Sequence, residues 1–201
     1  MKVAYIKPFV TAAFIILLDQ IIKIWVRHHM YNGEEIRFLG DRGMLRYTEN
    51  NGMAWGLELG GDWGKLALTL FRIVAVCGIG YGIVFLIKNK YHRGLIMNLA
   101  LIFAGAMGNI IDSTFYGVIY GYAPLLHGRV VDMFYFPLIT GHFPIGMPFW
   151  GGEEFVFFRP IFNLADAAIS VGVILILFRQ KHYFKHEPTE DESRNSEMVE
   201  E

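Results

Sequence analysis

The stretch FNLADAAISVGVILILF, residues 162–178, decides the fold class, because it is a long apolar run that contains a single carboxylate. A bilayer core about 30 Å thick is crossed by a helix of about 20 apolar residues. Asp166 lies a turn or two inside this run, and Asp132 lies in the short apolar run VVDMFYF that precedes it. An ionisable group at the edge of lipid is costly without a partner and marks a candidate functional site. The two aspartates together suggest acid–base chemistry at a membrane surface.

The composition of the whole chain agrees with a membrane protein. Of its 201 residues 54% are hydrophobic, and the mean hydropathy is +0.36, which is too apolar for an ordinary soluble domain. The single cysteine, Cys77, lies in a hydrophobic run, so no disulfide can form within one chain and no Cys/His metal spacing is present. A basic aromatic patch on a soluble domain is also lacking in the sequence, so we expect no nucleic-acid partner.

The charge is distributed unevenly along the chain. The net charge is −1, but residues 187–201 carry seven acids and one arginine, or −6, which leaves +5 for the remainder. This last segment has almost no apolar residues, a composition typical of disorder. We therefore expect a single polytopic membrane domain over residues 1–182 and an acidic, disordered cytoplasmic tail over residues 183–201.

Four segments are long and apolar enough to be membrane spans. They cover residues 9–26, 66–87, 95–115 and 161–178. The first resembles a signal peptide, with Lys2 and Lys7 ahead of the apolar run, but it lacks a small-x-small cleavage site and is interpreted as a retained span.

The orientation of the spans follows from the distribution of Lys and Arg. The short segment KNKYHR has three basic residues in six, and RQKHYFK after the last span has three in seven. The long segments 27–65 and 116–160 have five in 39 and two in 45. Both termini are therefore predicted to be cytoplasmic, and both long loops to lie on the outer side.

This topology gathers the unusual polar residues at the outer face. Asn109 with Asp112 and Asn163 with Asp166 have i, i+3 spacing, so each pair shares one face of its helix. Asp19 and Lys23, at i, i+4, can form an ion pair. Arg72, near the outer end of the second span, can hold a lipid phosphate or extend to the interface.

The first outer loop also has predicted structure. The runs EIRFL and MLRY flank GDRG, which indicates a hairpin. The segment of residues 50–63 follows, with Trp55 and Trp63 suited to the membrane–water interface. We expect a mostly α membrane protein with four transmembrane helices, a small extracytoplasmic β-element and an interfacial helix above the polar residues.

Five motifs of this chain resemble those of the lipoprotein signal peptidases, also called signal peptidase II. The segments GNIID (108–112), GRVVDMF (128–134) and FNLADAAI (162–169) resemble the three C-terminal motifs of that family. LDQIIK (18–23) resembles its first-helix motif, and NNGMAW (50–55) resembles its Asn-x-Gly segment. The motifs occur in the family's order on a matching four-helix topology.

The resemblance implies an activity and a location. The family consists of aspartyl endopeptidases of the bacterial cytoplasmic (inner) membrane, with the active site at the outer face. They remove the signal peptide from a prolipoprotein just before a cysteine that carries a diacylglyceryl group. Prolipoproteins and membrane lipids would thus be the partners of a chain that we expect to be monomeric and to need neither metal nor organic cofactor.

The resemblance also assigns residues. Its catalytic aspartates correspond to Asp132 and Asp166. The substrate-binding or supporting residues it implies are Asn50, Gly52, Asn109, Asp112, Arg129, Asn163, Asp19 and Lys23. Several assignments have structural alternatives: a supporting role for Asp112, interhelical hydrogen bonding for the two helical asparagines, and an ordinary turn at residues 50–52.

Two carboxylates in one site suggest a mechanism. Their mutual repulsion moves their pKa values apart, so that one acts as general base on a water and the other, protonated, polarises the scissile carbonyl. The sequence does not assign these roles, because the two pKa values belong to the pair.

The chain departs from the family pattern in two places. Ser113 stands where the third motif usually has arginine, and Arg129 could compensate for it. Residues 138–159 form a longer connection than expected, which we interpret as an irregular interfacial loop that is either a lid or substrate platform or a passive insertion. Two other functions remain open: a catalytically silent homologue that binds lipoproteins or lipid, and a small proton-coupled transporter.

Overall fold

The computed structural model describes residues 2–51, 61–157 and 159–184. Its helices are α1 (Lys2–His29), α2 (Gly61–Lys88), α3 (Arg93–Ile111), α4 (Gly117–Ile119) and α5 (Leu164–Tyr183), with a π-helical turn at Asp112–Tyr116 that joins α3 to α4. Its strands are β1 (Glu35–Arg37), β2 (Met44–Asn50), β3 (Val130–Tyr135), β4 (Ile139–His142), β5 (Glu154–Phe157) and β6 (Ile161–Phe162). The fold is therefore mostly helical, with a small amount of sheet.

Three helical segments within the described residues are long and apolar enough to cross a membrane. They are Ile6–His29, Gly61–Lys88 and Arg93–Ile119. Helix α5 is outside this group, because its 20 residues include Asp166, Arg179 and Lys181. Large apolar side chains of these helices are exposed, as expected for surfaces that contact lipid.

Two glycines allow α3 to approach its neighbours closely. A Cβ atom added at Gly105 would lie 2.1 Å from the carbonyl oxygen of Ala165 in α5. One added at Gly108 would lie 2.7 Å from Oδ2 of Asp19 in α1. Any larger residue would push these helices apart, so the glycines fix the short distances on which the polar contacts of α1, α3 and α5 depend.

The main sheet has the strand order β1-β2-β3-β6, and all neighbours are antiparallel. Strands β1 and β2 pair in the region where the sequence indicates a hairpin. Strand β3 contains Asp132, opposite Thr48 of β2, within the long connection between α3 and α5. Val131 and Met133, on one face of β3, are fully buried, and Val130 and Asp132, on the other face, are each 3% exposed, so β3 is covered on both faces.

Residues 138–157 form a second hairpin in which β4 and β5 pair. The prediction of an irregular loop for this segment was therefore wrong. Its backbone is closed by hydrogen bonds from Phe143 N to the Glu153 oxygen (2.9 Å) and from Gly152 N to the Phe143 oxygen (3.0 Å). The ring of Phe143 also packs against Phe155 and Trp150, so aromatic contacts outweigh the loop-forming tendency of the Gly and Pro residues.

Three predictions fall outside the described residues. They are the position of Gly52, most of the expected interfacial helix, including Trp55, and the acidic tail beyond residue 184. Trp63, which the sequence places at the interface, lies in the first turn of α2 and is 81% exposed.

Candidate active site

Asp132 lies at the centre of a buried polar cluster. Its side chain is only 3% exposed, although β3 is part of a small sheet. Oδ2 accepts a hydrogen bond from Nδ2 of Asn50, on the neighbouring strand, at 3.1 Å. Oδ1 accepts a shorter one, 2.7 Å, from Nδ2 of Asn163. Both carboxylate oxygens are thus held by amide donors from different parts of the chain.

Asp166 occupies the first turn of α5. Asn163 is the N-cap of this helix, and its Oδ1 accepts a hydrogen bond from Asp166 N at 2.9 Å. In return, Oδ2 of Asp166 accepts from Asn163 N at 3.3 Å, which completes a capping box. The positive end of the helix dipole also favours negative charge at this position. Local sequence therefore fixes the orientation of the second carboxylate.

Two asparagines connect the aspartates. Asn163 Nδ2 lies within hydrogen-bonding distance of both Asp132 and Oδ1 of Asn109, the latter at 3.1 Å. Asn109 in turn donates from Nδ2 to Oδ1 of Asp166 at 2.8 Å. The two Asn–Asp faces that the spacing indicates are therefore in contact, and they join both carboxylates in one hydrogen-bonded network.

Lys23 is the buried cation beneath this network, with a side chain that is fully excluded from solvent. Its Nζ lies 2.9 Å from Asp19 Oδ2, in the ion pair that their spacing predicts, and 2.8 Å from Asp112 Oδ2. It also donates to Asn109 Oδ1 at 3.0 Å. One ammonium group thus satisfies two carboxylates and orients the asparagine that holds Asp166.

The two carboxylates paired with this lysine also bind backbone amides. Asp19 Oδ1 accepts from Ala165 N at 3.0 Å, and Asp112 Oδ2 accepts from Val131 N at 3.3 Å. Gln20, a site residue that is not predicted from the sequence, donates to Asp112 Oδ1 at 2.9 Å. The carboxylates therefore tie α1 and the end of α3 to β3 and to the start of α5, the two elements that carry the aspartate pair.

Arg129 belongs to a different cluster, centred on Glu49 of β2. Arg129 Nη1 lies 3.1 Å from Glu49 Oε2, and Arg27 and the Tyr47 hydroxyl bind Oε1. Burial would raise the pKa of Glu49, but the Tyr47 hydrogen bond and the two arginines lower it below its ordinary value. The guanidinium of Arg129 also stacks on the ring of Tyr122. This cluster fixes the strand that carries Asn50.

The guanidinium that reaches Ser113 comes from Arg72 of α2, and not from Arg129, the residue that the sequence suggests as a replacement for the missing arginine. Arg72 Nη1 donates to Ser113 Oγ at 3.3 Å. The carboxylates whose charges act on Arg72 are Asp166, Asp132 and Asp112. The sequence offers one signal for this role, an arginine within an apolar helix. The same signal is equally typical of an arginine that contacts lipid headgroups.

The environment of Asp132 favours its protonated form. Burial is the largest cause and the nearby charge of Asp166 is the second, and together they raise the pKa of Asp132 to about 7. Hydrogen bonds from Asn50 and Asn163 act in the opposite direction. Near neutral pH Asp132 can therefore hold a proton.

The structure combines three helices that are long and apolar enough to cross a membrane with two aspartates joined in one hydrogen-bonded network. The family model described as Signal peptidase (SPase) II matches residues 11–181. The chain therefore belongs to the signal peptidase II family of aspartic peptidases.

Relatives and solved structures agree with this assignment. The chain is 49% identical to a lipoprotein signal peptidase of Porphyromonas gingivalis over 187 residues, 84% of this chain and 81% of that protein. It is 38% identical to one of Amoebophilus asiaticus over 203 residues, 94% of this chain and 85% of that protein. A solved bacterial membrane enzyme is similar at a TM-score of 0.60 and 27% identity, covering 87% of this chain and 92% of that one.

Proposed function

We propose that this signal peptidase II removes signal peptides from diacylglyceryl-modified prolipoproteins, cutting just before the lipidated cysteine, with Asp132 and Asp166 as its catalytic pair. The observation that supports the pair most directly is the bridge through Asn163 and Asn109, which joins the two carboxylates in one network. The family and the names of the relatives support the substrate class.

In the proposed mechanism Asp132 carries the shared proton and Asp166 is ionised. Asp166 removes a proton from a water as its oxygen attacks the scissile carbonyl carbon, and Asp132 gives its proton to the carbonyl oxygen. The tetrahedral intermediate then collapses as Asp166 passes its proton to the leaving nitrogen and Asp132 regains one from the intermediate. The C–N bond breaks, and both carboxyl groups return to their starting states.

The supporting residues have positioning roles in this proposal. Asn50, Asn163 and Asn109 orient the two aspartates through their amide donors. Lys23 forms ion pairs with both Asp19 and Asp112, so these two carboxylates stabilise the scaffold and leave the catalytic step to the other pair. Gly52 would contact the substrate near the scissile bond, as the family resemblance implies.

The proposed topology places the site where its substrate is. Helix α5 has 20 residues and is about 30 Å long, enough for a fourth span. With the Lys- and Arg-rich segments in the cytoplasm, both termini are cytoplasmic and the aspartates lie at the outer face of the inner membrane. The signal peptide and the diacylglyceryl chain both reside in the bilayer, so a monomer can take its substrate laterally from lipid.

The proposed function is tested by cleavage with the purified full chain. A diacylglyceryl-modified prolipoprotein is compared with the same precursor left unmodified, each with and without EDTA, and mass spectrometry locates the cut. We expect cleavage of the modified precursor only, before the lipidated cysteine and unaffected by EDTA. If a folded chain binds the modified precursor but leaves it uncut, the protein is a silent homologue; equal cleavage of both precursors contradicts the proposed substrate class.

The raised pKa of Asp132 predicts an alkaline limit to activity. Above a pH of about 7 Asp132 loses the proton that it must give to the carbonyl oxygen, so kcat should fall as the pH rises further. Replacing Asn50 by Ala removes a hydrogen bond that stabilises the ionised form. The alkaline limb of the kcat profile should therefore move to higher pH in Asn50→Ala, and an unchanged limb would contradict the assignment of the proton to Asp132.

Arg72 is predicted to supply the positive charge that the third motif of this chain lacks. Arg72→Ala should lower kcat about tenfold or more, by analogy with the loss of other charge-stabilising donors in active sites. It should also move the alkaline limb up by about one pH unit, because a nearby cation favours ionised carboxylates. Arg72→Lys, which keeps the charge, should retain the pH profile.

A double variant tests this role by placing a guanidinium at residue 113 in a protein that lacks the one at residue 72. Adding Ser113→Arg to Arg72→Ala should recover part of kcat and return the pH profile toward that of wild type, because residue 113 contacts residue 72. Arg37→Ala serves as the control, since that arginine is 61% exposed on β1 and pairs with Asp41. If Arg72→Ala has a wild-type pH profile, the arginine has only a structural role.

A further inference from the structure

The β4–β5 hairpin has large apolar side chains at its tip that are exposed to a degree unusual outside lipid-facing surfaces. Ile145 is 92% exposed and Phe149 is 91% exposed, with Trp150 and Met147 beside them at 54% and 43%. Farther down the hairpin, Phe157 is 61% exposed. Contiguous exposed apolar surface of this kind marks a binding surface for lipid or another molecule.

The tip is held in a defined conformation by its own contacts. Phe149 has φ +75°, in the left-handed region that bulky residues rarely adopt. The turn around it is closed by a hydrogen bond from Gly151 N to the Met147 oxygen at 3.0 Å, and Trp150 packs against Phe143. Backbone strain that projects an aromatic side chain away from the protein is typical of a functional contact.

The chemistry of the hairpin fits a lipid interface better than a protein partner. Residues 138–157 contain no Lys or Arg, two glutamates and one histidine, so they offer little charge for pairing. The tip sequence PIGMPFW, residues 144–150, combines aliphatic side chains with an aromatic pair. Trp and other amphipathic or aromatic residues concentrate where acyl chains meet headgroups.

In the proposed orientation, the hairpin lies at the outer boundary of the membrane. It follows β3, which carries Asp132, and it leads through β6 to Asn163, the N-cap of α5. Leu138 and Ile139 at the start of the hairpin are also more than half exposed, so its root and its tip both have exposed apolar side chains. The hairpin therefore connects the strand that carries Asp132 to the start of α5.

We propose that the β4–β5 hairpin inserts its tip into the outer leaflet of the bilayer and acts as an interfacial anchor for the strand that carries Asp132. The proposal rests on the proposed orientation of the site toward the outer face. The anchor would hold β3 and β6 at the depth where the lipidated end of a substrate lies. The partner is the lipid interface itself, which distinguishes this role from a lid that contacts substrate.

A single fluorescent label on the full chain tests the insertion without any activity measurement. Cys77 is replaced by Ala, since it is the only native cysteine, and Phe149→Cys is labelled with an environment-sensitive dye. The control is Asp41→Cys on the β1–β2 turn, where the aspartate side chain is 85% exposed. Both proteins are placed in vesicles of phosphatidylethanolamine and phosphatidylglycerol, with nitroxide-labelled lipids as quenchers.

We expect the dye at residue 149 to have blue-shifted emission and to be quenched several-fold more strongly by a shallow lipid nitroxide than by aqueous iodide. The dye at residue 41 should show the reverse. Equal, water-like behaviour at both positions would overturn the proposal. A blue shift without lipid quenching, or one that needs added prolipoprotein, would also overturn it, because the tip would then contact protein or substrate.

Insertion can be measured in a protein that does not cleave. Failure of the anchor proposal is therefore distinguishable from failure of the proposed function.

Phe149→Asp should lose the lipid contact and raise KM for lipidated substrate in vesicles several-fold with little change in kcat. Phe149→Leu should retain the wild-type KM, because it keeps an apolar side chain at the tip. A wild-type KM for Phe149→Asp in vesicles would show that the hairpin has no anchoring role.

Discussion

Asp132→Asn and Asp166→Asn are each expected to abolish cleavage of a lipidated prolipoprotein, with a loss in kcat of about 10³-fold or more. General acid or base catalysis alone contributes about 10²- to 10⁴-fold, and here each carboxylate has both a proton-accepting and a proton-donating step. The amide keeps the size of the side chain but can neither carry the acidic proton of Asp132 nor accept one from water at Asp166. Both changes should therefore affect kcat much more than KM.

The same variants distinguish catalysis from folding. Asn at either position keeps one acceptor oxygen but turns an NH2 group toward the second donor, so the thermal unfolding temperature of the detergent-solubilised chain should fall modestly while the chain remains folded. Asp41→Asn, on the exposed β1–β2 turn, should cleave like wild type and controls for handling. Wild-type cleavage by either Asp132→Asn or Asp166→Asn, at matched amounts of folded protein, would refute the paired-aspartate mechanism.

The double variant adds a second criterion. Because the two carboxylates act in one step, the loss in Asp132→Asn/Asp166→Asn should be close to that of each single variant and far from the product of the two losses. Losses that multiply would indicate two independent roles, contrary to a shared proton.

Part of the site follows from local sequence because its spacing has a direct structural meaning. Asn163 and Asp166 are three residues apart at the start of an apolar run, the spacing of a capping box, and the structure has that motif. Asp19 and Lys23 are four residues apart on a helix, and they form the ion pair. In both cases the interaction lies within one turn of helix.

Other parts depend on contacts that leave little trace in the sequence. Asp132 lies in a strand covered on both faces, so the run VVDMFY lacks the alternation that identifies a half-buried strand. The contact of Arg72 with Ser113 joins two helices across 41 positions of the chain. The β4–β5 hairpin is stabilised by cross-strand and aromatic contacts that outweigh its Gly and Pro content.

The second large effect is expected at Lys23. Lys23→Met removes the ammonium group from between Asp19 and Asp112, whose side chains are 1% and 0% exposed. Breaking a buried ion pair by removing one partner typically costs about 3–5 kcal/mol, because the remaining charge is left without compensation. Here two carboxylates would remain, and Asn109 would lose a donor, so both stability and cleavage should fall steeply.

Replacing the two carboxylates that Lys23→Met leaves without a cation should reverse much of the loss of stability. In Lys23→Met/Asp19→Asn/Asp112→Asn every member of the cluster is neutral and close to its original volume, so the thermal unfolding temperature should recover well above that of the single variant. Lys88→Met, at the exposed end of α2, is the matched control and should unfold like wild type. The measurement is thermal unfolding of the purified chain in detergent, followed by intrinsic tryptophan fluorescence.

The outcome separates two roles for the lysine. If it only compensates the two carboxylates, the neutral triple variant should recover both stability and kcat. If it also orients Asp166 through Asn109, the triple variant should recover stability while kcat remains low, because the hydrogen bond from Nζ to Asn109 Oδ1 is still missing. The contact geometry favours the second result, since the same ammonium group binds both carboxylates and the asparagine. If Lys23→Met alone is as stable and as active as wild type, neither role applies.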